Sequence, residues 1–235
     1  MDAVLDVVAG STRASVAFFS SHGACYVCRI ADVPQSTGHG VPVQKLFKLA
    51  DGERIVSMLG FDSRLLDVPA PGAEGADPEP PFAVAVSHGG MCLRFSLRAH
   101  REPSTRAGRR YMRLRQGDEV AYVAVCPDEA HLACASVEGR ALICTADEVS
   151  VLAGPGLGVR LIKLGKTDTV LAAQLLIQPS DMLVVERKGT GVTYNVSLRK
   201  YQPVSRGGKG HAMFQRGTLE RVVRPPPEVP SLEGK

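Results

Sequence analysis

GVRLIKLGKTDTV, running from Gly158 to Val170, is the stretch that decides the fold. A glycine opens it. Apolar Val159, Leu161 and Leu164 are then interleaved with Arg160, Lys163 and Lys166, an acid sits in the following turn at Asp168, and Val170 closes it. The same order returns as GRRYMRLRQGDEV from Gly108 and as GHAMFQRGTLERV from Gly210, with a longer version, GVPVQKLFKLADGERIV, from Gly40. The turn acids fall at Glu53, Asp118, Asp168 and Glu220, and the closing apolar residues at Ile55, Val120, Val170 and Val222. Upstream of each unit's glycine lies a pair of short apolar runs joined by a glycine turn: SSHGACYV, SHGGMCLR, SVEGRALI and ERKGTGVT, with Gly23, Gly90, Gly139 and Gly189 in register. Such hairpin turns favour glycine because they demand positive φ.

Self-similarity at about 50 residues, with about four strands per unit, predicts an all-β, propeller-like array whose small sheets bury their faces against one another. The 235 residues then form a single domain with approximate blades at 3–60, 82–126, 131–176 and 181–224. A Pro- and acid-rich insertion at 68–81 reads as a solvated excursion, and a Pro-rich tail follows at 225–235. Four units are few for a closed wheel, so an open, C-shaped wheel or a missing blade is expected. The first repeat begins abruptly, which leads us to expect an upstream unit.

The chain contains no apolar run of eighteen residues and no signal-peptide pattern, so no membrane partner is expected and the six cysteines read as reduced and intracellular. Cys25 and Cys28 resemble half a zinc site. They lie on a predicted strand, however, where residues three apart point to opposite faces, and no second such pair exists. No metal is expected, and no acid, base and nucleophile converge to suggest catalysis.

Net charge is only +4, so where the cations sit matters more than their sum. Seven arginines crowd LRAHREPSTRAGRRYMRLR: Arg98, Arg101, Arg106, Arg109, Arg110, Arg113 and Arg115. The other units carry Arg29, Lys45 and Lys48; Arg160 and Lys163; and Arg199, Lys200, Arg206 and Lys209. Cations at equivalent places in a radial array form a band along one rim, which suits a duplex backbone bound through counterion release. A propeller-type protein-interaction scaffold is the competing reading.

These residues resemble the C-terminal β-pinwheel of the A subunit of bacterial type IIA topoisomerases, DNA gyrase and topoisomerase IV. The resemblance rests on FFSSHGACYVCRIADVP, on GLGVRLIKLGKTDTV and on SRGGKG, Ser205 to Gly210. It implies a wheel with strands exchanged between blades that binds and bends double-stranded DNA. The loop Arg206, Gly207, Gly208, Lys209 and Gly210 is similar to the gyrase box Q-R-R-G-G-K-G, with Val204 and Ser205 in its first two places and in the last unit rather than the first. That departure favours topoisomerase IV, with its decatenation and relaxation, over gyrase and its chiral wrapping. The resemblance further implies a non-catalytic piece that needs no cofactor itself. It would belong to a cytoplasmic, nucleoid-associated parent enzyme using ATP and Mg. Its partners would be the N-terminal catalytic core of the same A subunit, together with the B (ATPase) subunit.

Overall fold

The computed structural model describes residues 4–73 and 75–232. The expected first-blade boundary at Ala3, Glu74 of the insertion and the last three residues of the tail lie outside it. Sixteen strands are present among the described residues: β1 (Ser15–Ser20), β2 (Ala24–Arg29), β3 (Ile55–Phe61), β4 (Phe82–Ser87), β5 (Met91–Ser96), β6 (Arg109–Arg110), β7 (Val120–Cys126), β8 (His131–Ser136), β9 (Arg140–Thr145), β10 (Val151–Leu152), β11 (Val159–Arg160), β12 (Val170–Leu176), β13 (Leu183–Arg187), β14 (Thr193–Val196), β15 (His211–Ala212) and β16 (Leu219–Val222). They form four separate antiparallel-based sheets, ordered β3-β1-β2-β6, β10-β5-β4-β7 with β11 also on β5, β12-β8-β9-β15, and β14-β13-β16.

The blades are therefore not four equal four-stranded sheets. Each unit makes a three-stranded core, and the glycine-led segments of units two, three and four cross to the preceding blade. β6 pairs with β2, β11 with β5 and β15 with β9. Blade two gains a fifth strand because β10 also runs parallel beside β5. Blade four has three strands among the described residues. The inner strands β3, β7, β12 and β16 pack successively on one another, so the blades follow an arc with the exchanged strands at its outer edge. Among the described residues no strand pairing joins blade four back to blade one.

The glycines that open the exchanged strands have to be glycine. Gly108, Gly158 and Gly210 adopt φ of +71°, +71° and +64°, and a Cβ on each would press into the carbonyl of Cys25, Cys92 or Ala141 on the accepting strand. The hairpins of the first three blades share a second device. Ser20, Ser87 and Ser136 are buried, and each Oγ accepts from the N–H four residues on, at Ala24, Met91 and Arg140. Asp118 accepts from the Ser87 hydroxyl and Gly89 N–H, and Asp168 from Glu138 N–H, so each turn acid braces its own hairpin.

The fourth unit departs from the expected register. Leu219, not Val222, stands opposite Arg187 where Ile55, Val120 and Val170 stand opposite Ser20, Ser87 and Ser136. Its turn is shorter, and Gly217 (φ +103°) occupies the acid's place under the Arg187 guanidinium. Glu220 is thus an exposed strand residue and no turn acid.

Three apolar clusters fill the junctions between blades. Ala17, Phe19, Cys25 and Val27 meet Ala85, Leu93 and Phe95; Val84, Val86 and Cys92 meet Leu132, Cys134 and Leu142; and Ala133, Ala135 and Ile143 meet Leu183, Val185 and Val196. Alternation along β2 sends Cys25 into the first junction and Cys28 to the opposite face beside Phe47. All six thiols are free and buried, and burial pushes Cys28 up to about 11 and Cys92 and Cys144 up to about 12. The insertion is less solvated than expected. Val68 is buried in the first junction, and Pro81 O accepts from Leu97 N–H.

His100 lies in an aromatic nest with Phe19, Phe95 and Tyr111, and its Nδ1 has no hydrogen-bond partner. Burial, aided by the Arg109 charge, lowers its pKa to about 4. The folded ring stays neutral while the unfolded ring takes a proton near pH 6.5. Stability is therefore expected to fall by about 3 kcal/mol as pH drops from 6.5 to 4. His100→Phe should flatten urea-unfolding stability across that window, and an unchanged slope would contradict this assignment.

Candidate nucleic-acid interface

Strand exchange sorts the cations by position. The backbone N–H groups of Lys48, Arg113 and Lys163 donate to Arg106 O, Gly156 O and Gly208 O, each on the loop of the next unit that leads into its exchanged strand. These three residues are one structural position repeated at three consecutive junctions. All are exposed, and among the described residues none is in an ion pair. A second position recurs beside them. Where acceptor and exchanged strands pair, the couples are Ala24 with Arg110, Met91 with Arg160, and Arg140 with Ala212. Each junction thus holds one exposed arginine on that rung, twice on the lent strand and once on the acceptor. Arg140 escaped the sequence reading, because its partner is set by non-local pairing. Its only local signal is its place directly after the hairpin Gly139.

Loop cations complete this side of the rim. Lys45 is exposed beside Arg106, whose guanidinium reaches Lys45 O at 3.4 Å. Lys48 and Arg106 line one hollow with Gln44, Phe47 and Leu49. Arg140, Lys163 and Lys209 line another of about 220 Å³, edged by Glu138 and Asp168. The SRGGKG loop sits here, on the neighbouring unit, with Gly207 N–H on Leu161 O and Lys163 N–H on Gly208 O. It occupies the place that GPGLG holds at the previous junction. Lys209 is exposed, but Arg206 is a clamp whose Nε donates to Glu148 O at 2.7 Å while its backbone N–H meets the Glu148 carboxylate.

The seven-arginine run does not form one face, because residues 97–115 travel along the outer edge of blade one from its base to its hairpin tip. Ser104 pairs beside Val27, and Arg109 beside Cys25. Arg101 therefore sits at the base with Arg29, both in ion-pair range of Glu102 at 3.7 and 3.2 Å. Arg98 is held inward by the insertion, with Nη1 on Glu79 at 2.6 Å and Nε on Pro80 O at 2.7 Å. Arg109 is half-buried and donates to Glu102 O and Pro103 O, which pins its own loop. Arg199 and Lys200 follow β14 at the far end of blade four, with the Lys200 ammonium over the Tyr194 and Tyr201 rings. Of the expected set, Arg110, Arg113, Arg160, Lys48, Lys163, Lys45, Arg106 and Lys209 gather on the junction rim. Arg29, Arg98, Arg101, Arg109, Arg199, Lys200 and Arg206 do not present free charge there.

Residues 14–60, 82–127 and 130–176 match the family described as DNA gyrase C-terminal domain, beta-propeller. The chain belongs to that family. The matched segments coincide with the first three blades and leave out the insertion between them. The DNA gyrase A subunit of Aminobacterium colombiense is 30% identical over 213 residues, which is 89% of this chain and 24% of that protein. The chain thus spans about a quarter of that relative's length. Among solved structures, the C-terminal domain of DNA topoisomerase IV superposes with a TM-score of 0.75 at 17% identity, covering 90% of this chain and 64% of that one. The DNA gyrase A C-terminal domain gives 0.63 at 17% identity, over 92% and 67%. The propeller-like array expected from the repeats, and the pinwheel implied by the resemblance, is therefore the family fold, and the chain is a C-terminal domain of the type IIA topoisomerase A-subunit kind.

Proposed function

We propose that this pinwheel lays duplex DNA across the junction rim and bends it along the arc. The recurrence of a free cation at one structural position in three consecutive junctions, Lys48, Arg113 and Lys163, carries this reading. With Arg110, Arg160 and Arg140 it supplies six exposed cations, two at each junction. Binding is expected to be independent of sequence, with log affinity falling against log salt with a slope of about −5 for six phosphates. A slope below about 2 in magnitude would contradict the six-contact path.

The finer reading is a topoisomerase IV A subunit. Its support is the degenerate box, in which Arg206 is spent on Glu148 and only Lys209 remains free. In that reading the domain hands bent DNA to the N-terminal core of the same chain. The ATP and Mg chemistry then belongs to that core and to the B subunit, in the cytoplasm at the nucleoid. The gyrase reading is favoured instead by the 30% identity to a gyrase A subunit. Relaxed plasmid incubated with the domain and a nicking-closing enzyme separates them. Unchanged linking number alongside salt-sensitive binding supports bending alone, and a one-signed shift supports chiral wrapping.

The insertion should act against binding. Because Glu79 occupies Arg98, Glu79→Gln is expected to release that guanidinium and raise DNA affinity at low salt about twofold to tenfold, the worth of one added phosphate contact. Unchanged affinity by fluorescence anisotropy would show that Arg98 lies off the DNA path.

A further inference from the structure

We propose that the base of blade one holds a binding site for a small oligophosphate, separate from the junction rim. Arg13, Arg29, Arg64 and Arg101 come from four separate stretches of the chain, and all four line one hollow of about 510 Å³. That volume lies within the ~300–1,000 Å³ of small-ligand sites. Ser15 stands there between Arg29 and Phe61, at the opposite end of the sheet from the Gly23 hairpin tip that borders the rim.

Local structure holds these side chains in place. Asp62 is 4% exposed and accepts from Ser11 N–H at 2.7 Å, from Arg64 N–H at 3.1 Å, and from the Arg64 guanidinium at 2.9 and 2.8 Å. That two-pronged pair sets the plane of the Arg64 fork. Arg29 Nη1 donates to Arg13 O at 3.1 Å and to Ser15 Oγ at 3.2 Å, which lays the side chain across the start of β1. Arg29 Nη2 meets Glu102, which also draws in Arg101. Arg13 is exposed and in no ion pair among the described residues.

The arrangement suits a short chain of phosphates. Each guanidinium is a planar fork that matches phosphate oxygens, and four forks exceed what a single phosphate can meet. Two carboxylates share the lining, Asp62 and Asp67, and Asp62 is already spent on Arg64 and the Ser11 N–H. Glu102 pairs with Arg29 and Arg101 from outside the lining. Those three side chains are 44%, 42% and 52% exposed for Arg29, Arg101 and Glu102, so solvent screens the pairs and phosphate oxygens can take them over. The Ser11 and Ser63 hydroxyls line the same hollow and supply neutral donors. Because the cations gather round a hollow and do not run along an edge, a compact ligand reaches all four and a duplex does not.

Amide chemical-shift titration of the 235-residue chain with inorganic tripolyphosphate, at constant ionic strength and without DNA, tests this. Saturable shifts are expected at residues 11–15 and 62–64, with one ligand bound per chain. Arg13→Ala combined with Arg101→Ala should weaken binding by about tenfold or more, the loss of two charge-assisted contacts. Its circular dichroism spectrum should be unchanged, because neither side chain enters an apolar cluster among the described residues. The variant with alanine at Lys48, Arg113 and Lys163, which lacks rim cations, should bind tripolyphosphate as the wild type does. ATP without metal separates two sources of the phosphates. Tighter binding than tripolyphosphate identifies a nucleotide, and equal or weaker binding identifies the phosphate chain alone. Shifts confined to the rim, shifts that do not saturate at millimolar ligand, or a double variant that binds as the wild type does overturn the proposal. The DNA reading stands in each case, since none of these readouts involves DNA.

Discussion

Replacing Lys48, Arg113 and Lys163 together with alanine is expected to reduce the salt slope of duplex binding by about 2.7, three phosphates at about 0.9 each. At 0.1 M salt that is a loss of roughly a hundredfold or more, while thermal stability should hold. The three side chains are exposed and in no ion pair among the described residues, and their structural bonds are made by backbone N–H groups that alanine keeps. Alanines at Arg29, Arg101 and Arg199 form the matched control, removing equal charge away from the rim. Their effect should be several-fold smaller. Equal losses in the two triple variants would mean that net charge rather than placement drives binding, and the rim path would fail.

Gly158→Ala should be the most damaging small substitution at a blade junction. The residue sits at φ +71°, which costs a non-glycine residue about 1–2 kcal/mol. The added methyl group would also meet Cys92 O and C and Leu93 Cβ, forcing β11 off β5. A total loss of about 4 kcal/mol is expected, lowering Tm by roughly 8–16 °C in a domain of this size. Gly40→Ala shares the positive φ but has open space around it, so it should cost only about 1 kcal/mol. Similar Tm losses in the two variants would show that conformational strain alone, and not the exchanged strand, makes these glycines necessary.

Much of this was legible in the repeats. Gly108, Gly158 and Gly210 mark the exchanged strands because only glycine tolerates both the positive φ and the approaching carbonyl. The hairpin glycines and the buried serines before them mark the tips. What the repeats could not convey is which strand pairs with which, since exchange is a non-local choice among similar edges. That is why blade four was expected to have four strands and has three. It is also why Arg140 went unseen: its role comes from facing Ala212, some seventy positions along the chain. The misplaced Glu220 and Val222 have a simpler origin. A shortened turn around Gly217 preserves the spacing in sequence while shifting it in space. Charge counting misled most in the arginine-rich run, where proximity along the chain spans the whole length of a blade and Glu79, Glu102 and Pro103 claim several of the guanidiniums.

The reading of SRGGKG depends on that same distinction. Its glycines serve the crossing, because Gly210 must pass the Ala141 carbonyl and Gly207 bonds to the previous unit. Arg206 is committed to Glu148, and a single free cation, Lys209, faces the rim. The loop is one junction among three, and binding is expected to be shared along the arc rather than focused on it.

On the proposed function, the duplex follows the arc of the blades. End-to-end energy transfer on a duplex labelled at both ends, long enough to span three junctions, reads that path. Transfer efficiency should rise when the wild-type domain binds, and that rise should be lost in the Lys48, Arg113 and Lys163 triple variant at protein concentrations that still saturate the DNA. Saturated binding with no change in transfer would mean that the duplex lies straight against the domain, and the bending role would be contradicted.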